Sequence, residues 1–209
     1  MNPNAMMIKH TLIYAAALAM LSALSACNSG TATVQPPLDQ APLAGADIGG
    51  AFELTSSTGE TVRWSDFAGK YRIVYFGFAY CPDICPTDMN RLARGLAEYE
   101  KAQPELAKTI QPMFITVDPE RDTPEVLAEF TSAFSDNIIG LTGTPDQIRQ
   151  AADTFKVFYA RGEDQPGGGY LMDHTNILYL FGPSGDPLAT LPADQGPEAV
   201  AAELAKWVR

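Results

Sequence analysis

Arg72-Ile73-Val74-Tyr75-Phe76-Gly77-Phe78-Ala79-Tyr80-Cys81-Pro82-Asp83-Ile84-Cys85-Pro86 is the stretch on which the reading of this chain turns. Its first seven residues, Arg72 to Phe78, are rich in Ile, Val, Tyr and Phe, the pattern of a buried strand. After Pro86 the apolar residues Met89, Leu92, Leu96 and Tyr99 recur at helical spacing, and Pro104 ends that run. Pro86 suits the first helical position, which puts Cys85 near the N-cap. A buried strand therefore hands over to a helix across a loop holding two thiols. In open α/β sheets that handover lies on the carboxyl edge, where sites are usually built.

The same alternation continues on either side. Phe52–Thr55 and Thr61–Trp64 flank a turn at Ser57-Thr58-Gly59-Glu60 and predict an N-terminal β-hairpin. Ile110–Val117 reads as a strand. Thr123-Pro124 opens a helix with Leu127, Phe130 and Phe134 on one face, Ile138–Leu141 is a short strand, and Thr144-Pro145-Asp146-Gln147 has capping-box spacing. Asn176–Phe181 and Leu188–Leu191 form a second hairpin across Gly182-Pro183-Ser184-Gly185, and Pro197–Arg209 closes the chain as an amphipathic helix. Strand–helix alternation with hairpins at both ends predicts an α/β fold, a mixed sheet with helices on both faces.

The N-terminus reads as an address. Lys9 and His10 precede an apolar run from Leu12 to Leu24, followed by Ser25-Ala26-Cys27. That is a secretory signal, too short to span a bilayer, and its end on Cys27 is similar to the lipobox of bacterial lipoproteins. We expect a signal peptide over 1–26, lipid attachment at Cys27, a flexible tether over 27–48 and one globular domain over 49–209. The tether is assigned because its Ser, Thr, Gly, Gln and Pro residues offer little to bury. The formal net charge of −11 argues against nucleic acid as a partner.

Of three cysteines, only Cys81 and Cys85 then remain as thiols, and His174 is the one imidazole outside the leader. An exported thiol pair must be bridged, metal-bound or kept reduced. Two thiolates and an imidazole suit a soft metal, copper best of all. The same pair, with three intervening residues, can also form a disulfide and act in thiol exchange. The residues alone leave both chemistries open.

Three motifs carry a resemblance: Phe76-Gly77-Phe78-Ala79-Tyr80-Cys81-Pro82-Asp83-Ile84-Cys85-Pro86, Thr116-Val117-Asp118-Pro119-Glu120-Arg121-Asp122-Thr123-Pro124, and Asp173-His174-Thr175-Asn176-Ile177-Leu178-Tyr179-Leu180-Phe181-Gly182-Pro183-Ser184-Gly185. In that order they resemble the Sco/SenC family of copper-binding proteins involved in cytochrome c oxidase assembly. The resemblance implies a thioredoxin-like fold and one copper ion held by Cys81, Cys85 and His174. It also implies delivery of copper to the dinuclear copper centre of oxidase subunit II, or reduction of that centre's cysteines by the Cys81–Cys85 pair. Other periplasmic copper chaperones are further expected partners, and the expected location is the periplasm, lipid-anchored to the outer face of the inner membrane. A redox or copper sensor is a third reading. Asp118 and Asp122 are expected at the site edge of the sheet, and Asp173 is a candidate to orient His174.

Overall fold

The computed structural model describes residues 35–209. Strand β1 (Glu53–Ser56) and strand β2 (Thr61–Arg63) form the expected hairpin, with Leu54 opposite Val62. Gly59 turns it at φ +82°, a left-handed conformation that glycine adopts without steric cost. Strand β3 (Tyr71–Gly77) is buried along its whole length, as its apolar run Ile73–Phe76 requires. Helix α1 (Ile84–Ala102) follows, then a single turn, α2 (Pro104–Ala107), so Pro104 both ends one helix and starts the next.

Strand β4 (Ile110–Thr116) runs parallel to β3, from Tyr71 opposite Ile110 to Gly77 opposite Thr116. Helix α3 (Pro124–Ser132) starts at Thr123, whose hydroxyl accepts the Val126 N–H. Strand β5 (Ile139–Thr142) lies parallel to β4, and helix α4 (Pro145–Thr154) begins on the complete Thr144–Gln147 capping box. Strand β8 (Leu178–Phe181) pairs antiparallel with β3, and strand β9 (Pro187–Leu191) pairs with β8. Helix α5 (Pro197–Trp207) closes the chain. The resulting seven-stranded order is β2-β1-β5-β4-β3-β8-β9, a thioredoxin-like mixed sheet.

Neighbouring residues on β3 face opposite layers. Tyr75 stacks on Phe114 at 6.1 Å, and Phe114 meets Phe130 of α3 at 4.8 Å. On the other side Phe76 meets Phe155, just past α4, at 5.5 Å, and Phe155 touches Phe52, Trp64 and Phe181. Helices thus cover both faces of the sheet.

Two features depart from the sequence expectation. Strands β6 (Tyr159–Asp164) and β7 (Tyr170–His174) form a separate two-stranded sheet that is not among the expected strands. The expected tether also ends sooner. Its residues 35–48 lie on the domain: Ala41 is buried, the Leu43 N–H donates to Leu188, and Gln35 donates to the carbonyls of Ala205 and Val208. Backbone hydrogen bonds compensate for the segment's small apolar area. The expected leader and Cys27 lie outside the described residues.

Candidate metal centre

The chain leaves β3 at Gly77 and enters α1 at Ile84, two residues earlier than Pro86 had suggested. Cys85 is therefore the second helical residue and Pro86 the third. Proline is tolerated there because first-turn N–H groups have no partner within the helix. Asp83 occupies the N-cap, but its side chain makes no capping bond. Sγ of Cys81 serves instead, accepting the Cys85 N–H at 3.4 Å. One cysteine thus caps the helix that carries the other, at the end where the helix dipole favours negative charge.

Both cysteines are free thiols, and they differ in kind. The hydrogen bond from Cys85 holds the Cys81 thiol far below the usual thiol range, with smaller help from backbone N–H groups, and against partial desolvation. Cys85 is pushed the other way, first by that same bond to the Cys81 sulfur and then by burial, since it has no accessible surface. The resting pair is one thiolate and one thiol. Burial likewise holds the Tyr75 phenol neutral beneath them, where its hydroxyl donates to Asp88 at 3.1 Å.

His174 ends β7 and reaches this pair from across the fold. Its ring stands edge-on to Tyr75 at 6.2 Å and to Phe78 at 5.8 Å. Nδ1 lies 3.1 Å from the Thr175 carbonyl oxygen, which can only accept, so Nδ1 carries the proton in the neutral ring. Nε2 keeps its lone pair and sits 3.3 Å from Sγ of Cys85. Two donors on one metal ion at about 2.0–2.3 Å stand roughly 3.5 Å apart in a tetrahedral site, so this separation suits a shared ion. The Thr175 carbonyl, and not Asp173, orients the imidazole. Asp173 is exposed on the opposite face of β7.

The structure therefore brings together Cys81, Cys85 and His174, the three predicted residues. Among the described residues, no group of three or more His, Cys, Asp or Glu side chains is placed, as it stands, to hold a metal ion. Cys85 links the trio: its Sγ lies 3.3 Å from Nε2 of His174, and its N–H donates to Sγ of Cys81. Two sulfurs and a nitrogen lone pair, one sulfur already ionised, fit a soft ion such as copper. Cys81 and His174 are half-buried while Tyr80 is 53% exposed beside them, so the site is open on the Cys81–His174 side.

Asp118 and Asp122 do lie in the loop after β4, but neither joins the donors. Asp122 is fully buried: its Oδ2 accepts the Ala79 N–H at 2.9 Å and the Thr116 hydroxyl at 2.6 Å. Asp118 pairs with Arg121 and accepts the Tyr170 hydroxyl at 2.8 Å. Sequence reasoning missed Tyr170 and Arg121. The turn signals Gln165-Pro166-Gly167 between two segments containing aromatic residues could have revealed the hairpin.

The family model described as SCO1/SenC matches residues 40–209. The human mitochondrial Protein SCO1 homolog is 37% identical over 162 residues, which is 78% of this chain and 53% of that protein. Protein SenC of Rhodobacter capsulatus is 40% identical over 178 residues, 85% of this chain and 73% of that one. The chain thus spans about half the length of the human relative it matches. Among solved structures, copper-bound ScoI of Bradyrhizobium japonicum superposes with TM-score 0.69 at 33% identity, covering 77% of this chain and 99% of that one. Copper-bound yeast Sco1 gives TM-score 0.69 at 35% identity, covering 77% and 87%.

Proposed function

The chain belongs to the SCO1/SenC family, and on that basis we propose that it is a copper chaperone binding one copper ion through Cys81, Cys85 and His174. It serves assembly of the dinuclear copper centre of cytochrome c oxidase subunit II. It works in the periplasm, tethered by lipid on Cys27 to the outer face of the inner membrane, and exchanges copper with other chaperones there. The observation that carries this reading is the 3.3 Å approach of the Cys85 sulfur to the lone-pair nitrogen of His174, with the Cys81 thiolate alongside. The copper captured in the Bradyrhizobium and yeast proteins supports it. Their coverage reaches the domain only, so the anchor and the location rest on the leader sequence.

Copper is cargo here, and the residues act by ligand exchange. Cys81 meets the ion already ionised. Cys85 must give up its proton as it ligates, so loading releases about one proton per ion. His174 completes the set through Nε2, the nitrogen that faces the Cys85 sulfur. On the exposed side, a partner's cysteine and histidine can displace Cys81 and His174 first and the buried Cys85 last.

The test is an anaerobic Cu(II) titration of the reduced protein, wild type beside His174→Ala, followed by visible absorption. A sulfur-to-copper charge-transfer band saturating at one equivalent is expected in wild type. His174→Ala weakens binding by orders of magnitude while leaving the Cys81–Cys85 disulfide able to form. Unchanged affinity in the mutant would rule out the three-ligand site.

One observation favours a second reading. An ionised, half-exposed Cys81 beside a protonated, buried Cys85 is the arrangement of an attacking and a resolving thiol. In that role Cys81 attacks a partner disulfide, and Cys85 then displaces the partner's sulfur, leaving this pair oxidised and the partner reduced. Copper that merely oxidises the thiols, with no charge-transfer band, would favour this reductase over the chaperone.

A further inference from the structure

His174 sits on a hairpin that shares no strand with the main sheet. A two-stranded ribbon is marginal in water by itself, so something must fix where its imidazole points. The hairpin is fastened by a cluster from the loop after β4. Arg121 donates through Nη1 to the backbone carbonyl of Tyr170 at 2.9 Å, and its guanidinium lies over the Tyr170 ring at 3.7 Å. Nε of the same side chain pairs with Asp118, which also accepts the Tyr170 hydroxyl. Arg121, Asp118 and Tyr170 thus close a ring of contacts between the core and the first residue of β7.

The same guanidinium faces the thiol loop. It lies 5.2 Å from the ring of Tyr80 and 5.9 Å from that of Phe78. Phe78 is also one of the two aromatic rings against which the His174 imidazole stands. One planar cation is therefore held between the segment leading into Cys81 and the strand leading to His174. Tyr170 and His174 share the half-buried face of β7, while Leu171 and Asp173 point outward. Four residues of strand span about 13 Å, so a fixed Tyr170 fixes the far end of the strand as well.

We propose that Arg121 and Tyr170 are positioning residues that set the reach of His174 to the thiol pair, an inference that rests on His174 being a ligand. Arginine is suited to this task and lysine is not. Only the planar fork can stack on an aromatic ring while donating along its edges. The clamp holds the imidazole in place before the ion arrives, so no ordering of the hairpin is charged against binding.

The test uses Arg121→Lys and Tyr170→Leu, each alone and in the His174→Ala background. The first measurement is made on the reduced, metal-free protein by NMR. His174 is the only histidine among the described residues, and we follow its ring contacts to Tyr75 and Phe78. Both variants are expected to lose those contacts while the Phe155–Phe181 contact on the far face of the sheet persists. The second measurement is Cu(II) affinity against a competing chelator. Each variant should weaken binding roughly tenfold, the scale set by groups that orient a ligand. Neither should weaken it further once His174 is alanine. Retained ring contacts, or an equal affinity loss in the His174→Ala background, would overturn the positioning role. If wild type and His174→Ala bind copper alike, the ligand reading falls. The NMR arm then decides the clamp independently.

Discussion

Gly77 and Cys85 face each other so closely that a β-carbon on the glycine would stand 3.1 Å from Sγ. It would also come within 2.8 Å of the Tyr75 ring and 2.9 Å of the Phe114 ring. Those rings are fully buried and have no free space to move into. Glycine is required here for room and not for backbone freedom, because its φ is ordinary for a strand. Gly77→Ala should therefore overpack the layer under the site, at a cost of about 1–3 kcal/mol. Urea unfolding reads that loss. The same substitution should displace Cys85 and weaken its contact with His174, seen as slower disulfide formation with Cys81.

The two thiols should react at very different rates. With Cys81 held ionised, iodoacetamide is expected to label it readily at pH 6, while Cys85 stays unlabelled until the protein unfolds. Cys85→Ala removes the hydrogen bond that does most to lower Cys81, so labelling of Cys81 at pH 6 should slow. Equal labelling of both cysteines in the native protein would contradict this asymmetry.

The same asymmetry sets a pH profile. An unfolded thiol ionises near pH 8.5. The depressed Cys81 contributes stability that is fully present above about pH 8.5 and is lost as pH falls through its native value. The raised Cys85 contributes stability fully present below about pH 8.5 and lost as pH rises towards its native value. Stability attributable to the reduced pair should climb up to about pH 8.5 and decline beyond it. Denaturant midpoints of wild type relative to the Cys81→Ala, Cys85→Ala double variant would show this peak.

Asp122 should behave as a buried brace for the thiol loop. Burial raises its carboxyl above the ordinary range, and one of its oxygens has no hydrogen-bond partner. A raised carboxyl favours the folded state most below its unfolded value, near pH 3.9, and that contribution is lost as pH rises through the native value. Wild type should therefore gain on Asp122→Asn as pH falls from 7 towards 4. Asparagine keeps an oxygen for Ala79 and Thr116 without a charge to bury. Asp122→Ala leaves both donors unpaired and should cost about 1–3 kcal/mol more than Asp122→Asn, equally at both pH values. Paired urea titrations at pH 4.5 and 7.5 separate the two effects.

The fold was legible where one physical cause dominated. The apolar run Ile73–Phe76 of β3, the capping box before α4 and the proline-started helices are local signals, and each produced the expected element. Cys81, Cys85 and His174 were legible as a chemical set because so few such side chains exist in the chain. Their approach was not, since 89 residues separate Cys85 from His174. The β6–β7 ribbon was not legible because its strands are half-exposed and their charged residues, Arg161, Glu163, Asp164 and Asp173, break any apolar run. The clamp could not be read at all. Arg121 looked like part of a charged loop, and its partner Tyr170 lies 49 positions away.

The boundary of the folded unit gives a final prediction. Composition placed residues 35–48 in a tether, yet they make contacts with the last strand and the C-terminal helix. Gln35 donates to Ala205 at 2.6 Å and to Val208 at 3.1 Å, while Arg209 donates back to the Pro36 carbonyl at 2.6 Å. Leu43 is tied to Leu188 of β9, and Gly49 to Thr154 at the end of α4. A chain beginning at Gly49 loses all of these except the last. Net contributions of about 0.5–1.5 kcal/mol per hydrogen bond put the loss at roughly 2–6 kcal/mol relative to a chain beginning at Gln35. Because α5 packs on α1, which carries Cys85, the shorter chain should also expose its C-terminal helix to faster amide exchange. Equal unfolding midpoints and equal exchange in the two chains would return residues 35–48 to the tether.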